Sequence, residues 1–229
     1  METIIFLPYL TIAVSRFIYV KRYEMDSVKK AKKYLLKSDP ELCNLFETID
    51  IDDLIPEKNY FKSLCRSIVY QQLSGKSAGK IFLRFKNIYK YKSFPDPADV
   101  LDTNQASLKA VGLSGPKINY IRNVAQDFVE NKNKYLKLNK LSDSQIIEEL
   151  TKIKGIGPWT VQMFLIFTLN RLDVLPTGDL ALRKGYQFYF NLDNLPTDEE
   201  MILRAEKWKP YRTYMSLYLW KILEGPFEW

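Results

Sequence analysis

IKGIGPWTVQMF, residues 153–164, sets two glycines and a proline directly ahead of an almost wholly apolar run. Between a helix ending near Ile153 and a second beginning at Pro158 there is room only for KGIG. In so tight a turn Gly155 and Gly157 are expected to take backbone conformations closed to other residues. Such a hairpin exposes unpaired amides at the start of the second helix. Those donors and the helix dipole suit a phosphate, and the bare glycines let a nucleic-acid backbone come close. Taken alone, GIG reads as an ordinary corner between helices with a glycine C-cap.

A second stretch, LPTGDLALRKG at 175–185, changes that reading. Asp179 follows Pro176, Thr177 and Gly178 and opens a helix. Aspartate is a favoured N-cap, and capping accounts for it without further function. A carboxylate held at a helix start beside a bound DNA strand is also placed to stabilise positive charge developing on a sugar during glycosidic cleavage. Both roles stand at this point.

Outward from these stretches the chain reads as short helices, with apolar residues at i, i+3 and i+4 and caps at their starts. Val28, Ala31, Leu35 and Leu36 form one face of a first helix whose other face is rich in lysine, read as solvated. Asp39-Pro40 is expected to act as N-cap and first residue of a helix through Ile49. Further helices are expected near 60–70, 74–91, 104–110, 116–131, 142–153, 158–169, 179–190, 197–207 and 210–223, with capping boxes at Ser142/Gln145 and Thr197/Glu200. With no alternating strand pattern after Met25, the fold class is all-α.

Composition narrows the chemistry. The 229 residues are 46% hydrophobic, enough for a sizeable core, and 34 Lys+Arg against 27 Asp+Glu give a net charge of +7, which favours a polyanionic partner. There is no histidine, which excludes an imidazole base, a histidine-ligated metal and a Ser-His-Asp triad. The two cysteines, Cys43 and Cys65, are too few for a zinc site or an iron–sulfur cluster and point to a reducing compartment. IIFLPYLTIAVSRFIYV, residues 4–20, has the composition of a membrane span but is short and carries Pro8 and Arg16. It leaves three readings open: packing on the body, lying on a membrane, or an extension upstream of a start at Met25.

IKGIGPWTVQMF resembles the helix-hairpin-helix of the base-excision DNA glycosylases, and LPTGDLALRKG is similar to the Gly/Pro-rich loop with a single aspartate that follows it. SIVYQQLSGKSAGKIFLRF (67–85), VGLSGPKINYIRNVA (111–125) and WKPYRTYMSLYLW (208–220) resemble segments of the AlkA-like 3-methyladenine glycosylases of the HhH-GPD superfamily. The resemblance implies two helical subdomains with the active site in the cleft between them: residues 25–58 with 176–229, and 59–175 carrying the hairpin at about 142–169. Residues 1–24 stand apart as an extension. Relatives that also cut the strand carry a lysine after Gly-x-Gly-x; here Trp159 stands there, which implies hydrolysis without lyase activity.

By the same resemblance Asp179 is the catalytic aspartate, stabilising an oxocarbenium-like sugar. Gly178 departs from the many relatives with a second acid there. Leu73, flanked by Gln72, is implied as the wedge filling the space of an extruded base. Trp220 is implied as the platform for that base, with Trp159, Trp208 and Tyr211 as further candidates for the pocket wall. Gly155 and Gly157, with Lys154, Lys117 and Lys184, are the expected phosphate contacts. Double-stranded DNA with alkylated bases is the implied partner of a monomer acting in the cytoplasm at the nucleoid, or in a nucleus. No metal or other cofactor is expected beyond room for a monovalent cation at the hairpin. YQQLSGKS, residues 70–77, nearly matches a phosphate-binding P-loop, but tyrosine replaces its first glycine. The remaining alternative is a DNA-binding protein of the same architecture in which Asp179 only caps its helix.

Overall fold

A computed structural model describes residues 27–223, and the described residues contain no strand. The extension at 1–24 lies outside them. Helix α1 covers residues 27–38 and buries Ala31 and Leu35, leaving Lys29, Lys30 and Lys33 exposed. A 3-10 turn, Pro40–Leu42, then runs into α2, Cys43–Thr48. The single helix expected from Asp39 is thus split, and Asp39 makes no capping bond. Its carboxylate is engaged elsewhere, by the Trp208 indole and the Lys207 ammonium.

The next elements are α3 (Tyr60–Tyr70), α4 (Gly75–Asn87), α5 (Pro97–Asp102), α6 (Gln105–Ala110), α7 (Gly115–Glu130), α8 (Lys132–Lys137) and α9 (Asp143–Thr151). They are followed by α10 (Pro158–Phe167), α11 (Leu180–Tyr189), α12 (Asp198–Ala205) and α13 (Arg212–Ile222). Side chains of Asn59, Ser74, Asn104, Ser142, Asp179 and Thr197 accept an amide at their helix starts. Both expected capping boxes are present. α5 and α8, each of six residues, were not expected, although Asp96 and Pro97 give α5 the same local start signal as Asp39-Pro40.

α10 is apolar almost all round and lies inside, and α13, though it carries Arg212 and Lys221, is largely buried too. α10 buries every residue from 160 to 167 except Gln162, and α13 buries Tyr214, Met215, Tyr218, Leu219 and Trp220. α7 packs on α3 and α5, α3 on α4 and α10, α9 on α10, and α11 on α13. The last pair meets at Gly185, where an added Cβ would overlap the Leu219 carbonyl, so only glycine permits this approach. The segment leading to Asp179 is fastened to α13 as well. Arg212 grips the Asp173 carboxylate with Nε at 2.7 Å and Nη2 at 2.9 Å, and Thr213 Oγ1 accepts the Val174 amide at 3.0 Å. Asp179 and Trp220 therefore ride on one rigid pair of helices.

Candidate active site

Three loops meet at one side of α10: the turn 71–74 after α3, the hairpin 152–157 before α10, and the loop 175–179 before α11. Side chains stitch them together. Gln71 Nε2 donates to the Gly155 carbonyl and to Thr160 Oγ1, each at 3.0 Å, which ties the first turn to the hairpin. Trp159, the second residue of α10, ties the hairpin to the third loop by donating its indole N–H to Asp179 Oδ2 at 2.7 Å.

In the hairpin the two glycines differ. Gly155 has φ +104, and a Cβ there would fall into the Tyr120 ring. Gly157 has φ −100 and ψ 173, extended backbone open to any residue, with nothing within 4 Å of an added Cβ. The expectation that both glycines serve a forbidden conformation is corrected: only Gly155 does. At Gly157 the missing side chain leaves open space in front of the helix start. Among the described residues neither the Gly155 nor the Gly157 amide has a hydrogen-bond acceptor.

Asp179 is 8% exposed, and its carboxylate is held on both oxygens. Oδ1 accepts the Leu182 amide at 2.7 Å and the Trp220 indole N–H at 2.9 Å; Oδ2 accepts Trp159. All three donors are neutral, and Asp179 forms no ion pair among the described residues. The Trp220 ring stacks on Phe167 with centroids 5.9 Å apart. Trp220 also lines a cleft of about 480 Å³ between residues 51–57, Ser63 and Arg66 of α3, and Leu217 and Lys221 of α13.

The remaining expected site residues divide. Leu73 is 41% exposed at the tip of its turn, beside exposed Gln72 with φ +55, so an apolar side chain stands free next to the hairpin. Lys154 and Lys184 are exposed, one in the hairpin and one in the second turn of α11. Lys117 is not free for phosphate: its Nζ donates to the Val69 and Gln71 carbonyls at 2.7 and 2.8 Å, closing the end of α3. Burial pushes its pKa below the ordinary lysine value. Trp208 is fully buried, gives its indole N–H to Asp39 Oδ2 at 2.8 Å and lies against Phe190, outside the cleft. Tyr211 packs edge-on against Tyr34 and also lies outside it. The core claims the Trp208 ring, whereas the Tyr211 ring is half-buried against the first helix. Sequence reasoning missed Gln71 as the tie between loops; nothing in a glutamine pair marks which one faces inward.

Residues 65–210 match the HhH-GPD superfamily base excision DNA repair protein family. DNA-3-methyladenine glycosylase 1 of Schizosaccharomyces pombe is 38% identical over 169 residues, 72% of this chain and 73% of that protein. The DNA-3-methyladenine glycosylase of Saccharomyces cerevisiae is 31% identical over 90% of this chain and 74% of its own length. Among solved structures, the Schizosaccharomyces pombe 3-methyladenine DNA glycosylase in complex with abasic DNA superposes with a TM-score of 0.77 at 35% identity, covering 84% of this chain and 95% of that one. The matched span contains the hairpin and the loop ending at Asp179, and the chain belongs to the HhH-GPD superfamily of base excision DNA repair proteins.

Proposed function

We infer that the protein is a monofunctional DNA glycosylase that hydrolyses the N-glycosidic bond of alkylated purines in duplex DNA and leaves an abasic site. The observation that carries this reading is the buried carboxylate of Asp179, held by neutral donors alone at the end of a chain of loops running from Leu73 through the hairpin. The free amides of Gly155 and Gly157 at the start of α10 are suited to a DNA phosphate. Leu73 takes the space of the extruded nucleotide, and the cleft against Trp220 receives the base. Its volume of about 480 Å³ is within the roughly 300–1,000 Å³ of small-ligand pockets. The Trp220 indole on its wall suits a cationic purine.

A methylated purine already carries positive charge and departs without a general acid, which agrees with a chain lacking histidine. As the bond stretches, positive charge grows on the sugar and the Asp179 carboxylate stabilises it. Water then adds to the sugar. With an indole where an amine nucleophile would stand, no Schiff base forms there and the strand stays intact.

The test is incubation of the purified protein with methylated duplex DNA and identification of the released bases. Free 3-methyladenine or 7-methylguanine, with strand breaks only after alkali, is the expected result. Binding without release would identify a DNA-gripping protein that does no chemistry. Gly157→Asp, whose Cβ would meet nothing within 4 Å, is expected to weaken binding to duplex carrying an abasic analogue at least tenfold by placing negative charge at the phosphate. Wild-type binding should fall steeply with added salt.

A further inference from the structure

Trp159 stands where a pocket wall was expected, yet its polar edge is what the structure uses. Among the described residues its indole N–H is the single donor to Asp179 Oδ2, whereas Oδ1 has two, Trp220 and the Leu182 amide. A carboxylate held on one oxygen alone remains free to swing about its own bond axis. Held on both from different elements, its plane is fixed. The bond to Oδ2 is therefore the one that sets the direction of the second oxygen.

The donor type matters as much as its place. A lysine or arginine at this distance would also hold the carboxylate, but its charge would cancel the field that a cationic sugar has to feel. An indole N–H stabilises the anion and adds no net charge. Trp159 also follows Gly157 and Pro158 directly, so the turn suited to a DNA phosphate and the donor to the carboxylate belong to one short piece of backbone. Any shift of the hairpin on the duplex is passed to Asp179 through that ring.

We propose that Trp159 is a positioning residue: its indole N–H, rather than its ring face, aims the Asp179 carboxylate at the sugar while leaving the negative charge uncancelled, and it registers that carboxylate to the hairpin. The proposal rests on the glycosylase reading above. It goes further by assigning Trp159 to the carboxylate and not to recognition of the base.

The test is Trp159→Phe, which keeps an aromatic ring and removes the donor, alongside replacement of Trp159 by benzothienylalanine, an isostere with sulfur in place of N–H. Single-turnover release is measured from duplexes carrying 7-methylguanine and, separately, the neutral base hypoxanthine, with binding to an abasic-analogue duplex and thermal melting as companions. Loss of one hydrogen bond to a charged group predicts a rate lower by roughly 10- to 100-fold. The factor should be the same for both bases in both variants, with abasic-analogue binding unchanged within about twofold. Wild-type rates in the isostere overturn the proposal, and so does a loss confined to one base, which would return Trp159 to the pocket wall. Should the phenylalanine variant melt too low to assay, the isostere decides alone. Absence of release by the wild-type protein removes the glycosylase reading and the proposal together.

Discussion

Two aspartates in this molecule are buried in much the same way and surrounded quite differently. Asp39 is 1% exposed and Asp179 is 8% exposed; each precedes a helical turn, and each accepts an indole N–H. Asp39 adds two cations, with Lys207 Nζ at 2.9 Å and Arg204 Nη2 at 3.5 Å. Asp179 adds a second indole and a backbone amide. Removing a carboxylate from water is costly in both places. At Asp39 opposite charge offsets that cost, and little field escapes. At Asp179 neutral dipoles and the start of α11 offset it, and the negative charge persists for another cation to meet. A buried carboxylate without a cation is the arrangement expected of a site that stabilises charge formed during a reaction.

The sharpest way to break this contrast is to neutralise each carboxylate and measure the chemistry. Asp179→Asn is expected to lower single-turnover base release at least about a hundredfold, roughly 2.7 kcal/mol of transition-state stabilisation. Asp39→Asn should leave it within about twofold of wild type. Equal rates in the two variants would erase the distinction and leave Asp179 a helix cap.

Much of this difference could not be read from the sequence. Both aspartates sit beside a proline or a Gly-Pro-rich loop and suggest an N-cap, yet only Asp179 caps, because only it lacks a distant cation to turn its side chain away. The helices with full turns and a favourable cap were legible, since caps and apolar spacing are local signals. So were the hairpin and the loop before α11, because Gly-Ile-Gly-Pro and Pro-Thr-Gly-Asp are local as well. The two indole donors to Asp179 come from 20 and 41 residues away, and no periodicity announces them. Lys117 illustrates the opposite failure: a lysine beside a Gly-Pro turn looks solvated until α7 carries it onto the end of α3. Nothing local in the sequence marks Gly185, and only the approach of α13 shows why a methyl group is excluded.

Stability separates the two sites in the other direction. Asp39→Ala leaves the Trp208 indole without its acceptor and two cations without their partner, and is expected to cost about 2 kcal/mol in denaturant unfolding. That lies below the roughly 3–5 kcal/mol of fully buried pairs because Arg204 and Lys207 keep part of their side chains in water. Base release by the folded variant should be unaffected. A loss below about 0.5 kcal/mol would mean that the cations hold Asp39 no better than solvent does.

The smallest effect bears most directly on the clamp. Asparagine caps helices about as well as aspartate, so sequence alone predicts no penalty for Asp179→Asn. The geometry corrects this, because both carboxylate oxygens accept N–H bonds and an amide offers one oxygen only. With that oxygen toward Leu182 and Trp220, the amide nitrogen faces the Trp159 N–H, donor against donor; turned over, it faces the other two. The first orientation loses one bond and the second loses two, so the first prevails and the variant loses about 1 kcal/mol. Trp159→Phe removes the opposing donor. In the double variant that penalty vanishes, and its stability should exceed the sum of the single effects by about 1 kcal/mol, well beyond the roughly 0.3–0.5 kcal/mol scatter of independent sites. The cycle subtracts the packing lost with the indole, since that loss occurs in both backgrounds. Strict additivity would show that in solution the Trp159 indole is not directed at the carboxylate, and the distinction between a neutral cradle at Asp179 and a cationic one at Asp39 would then rest on Trp220 and Leu182 alone.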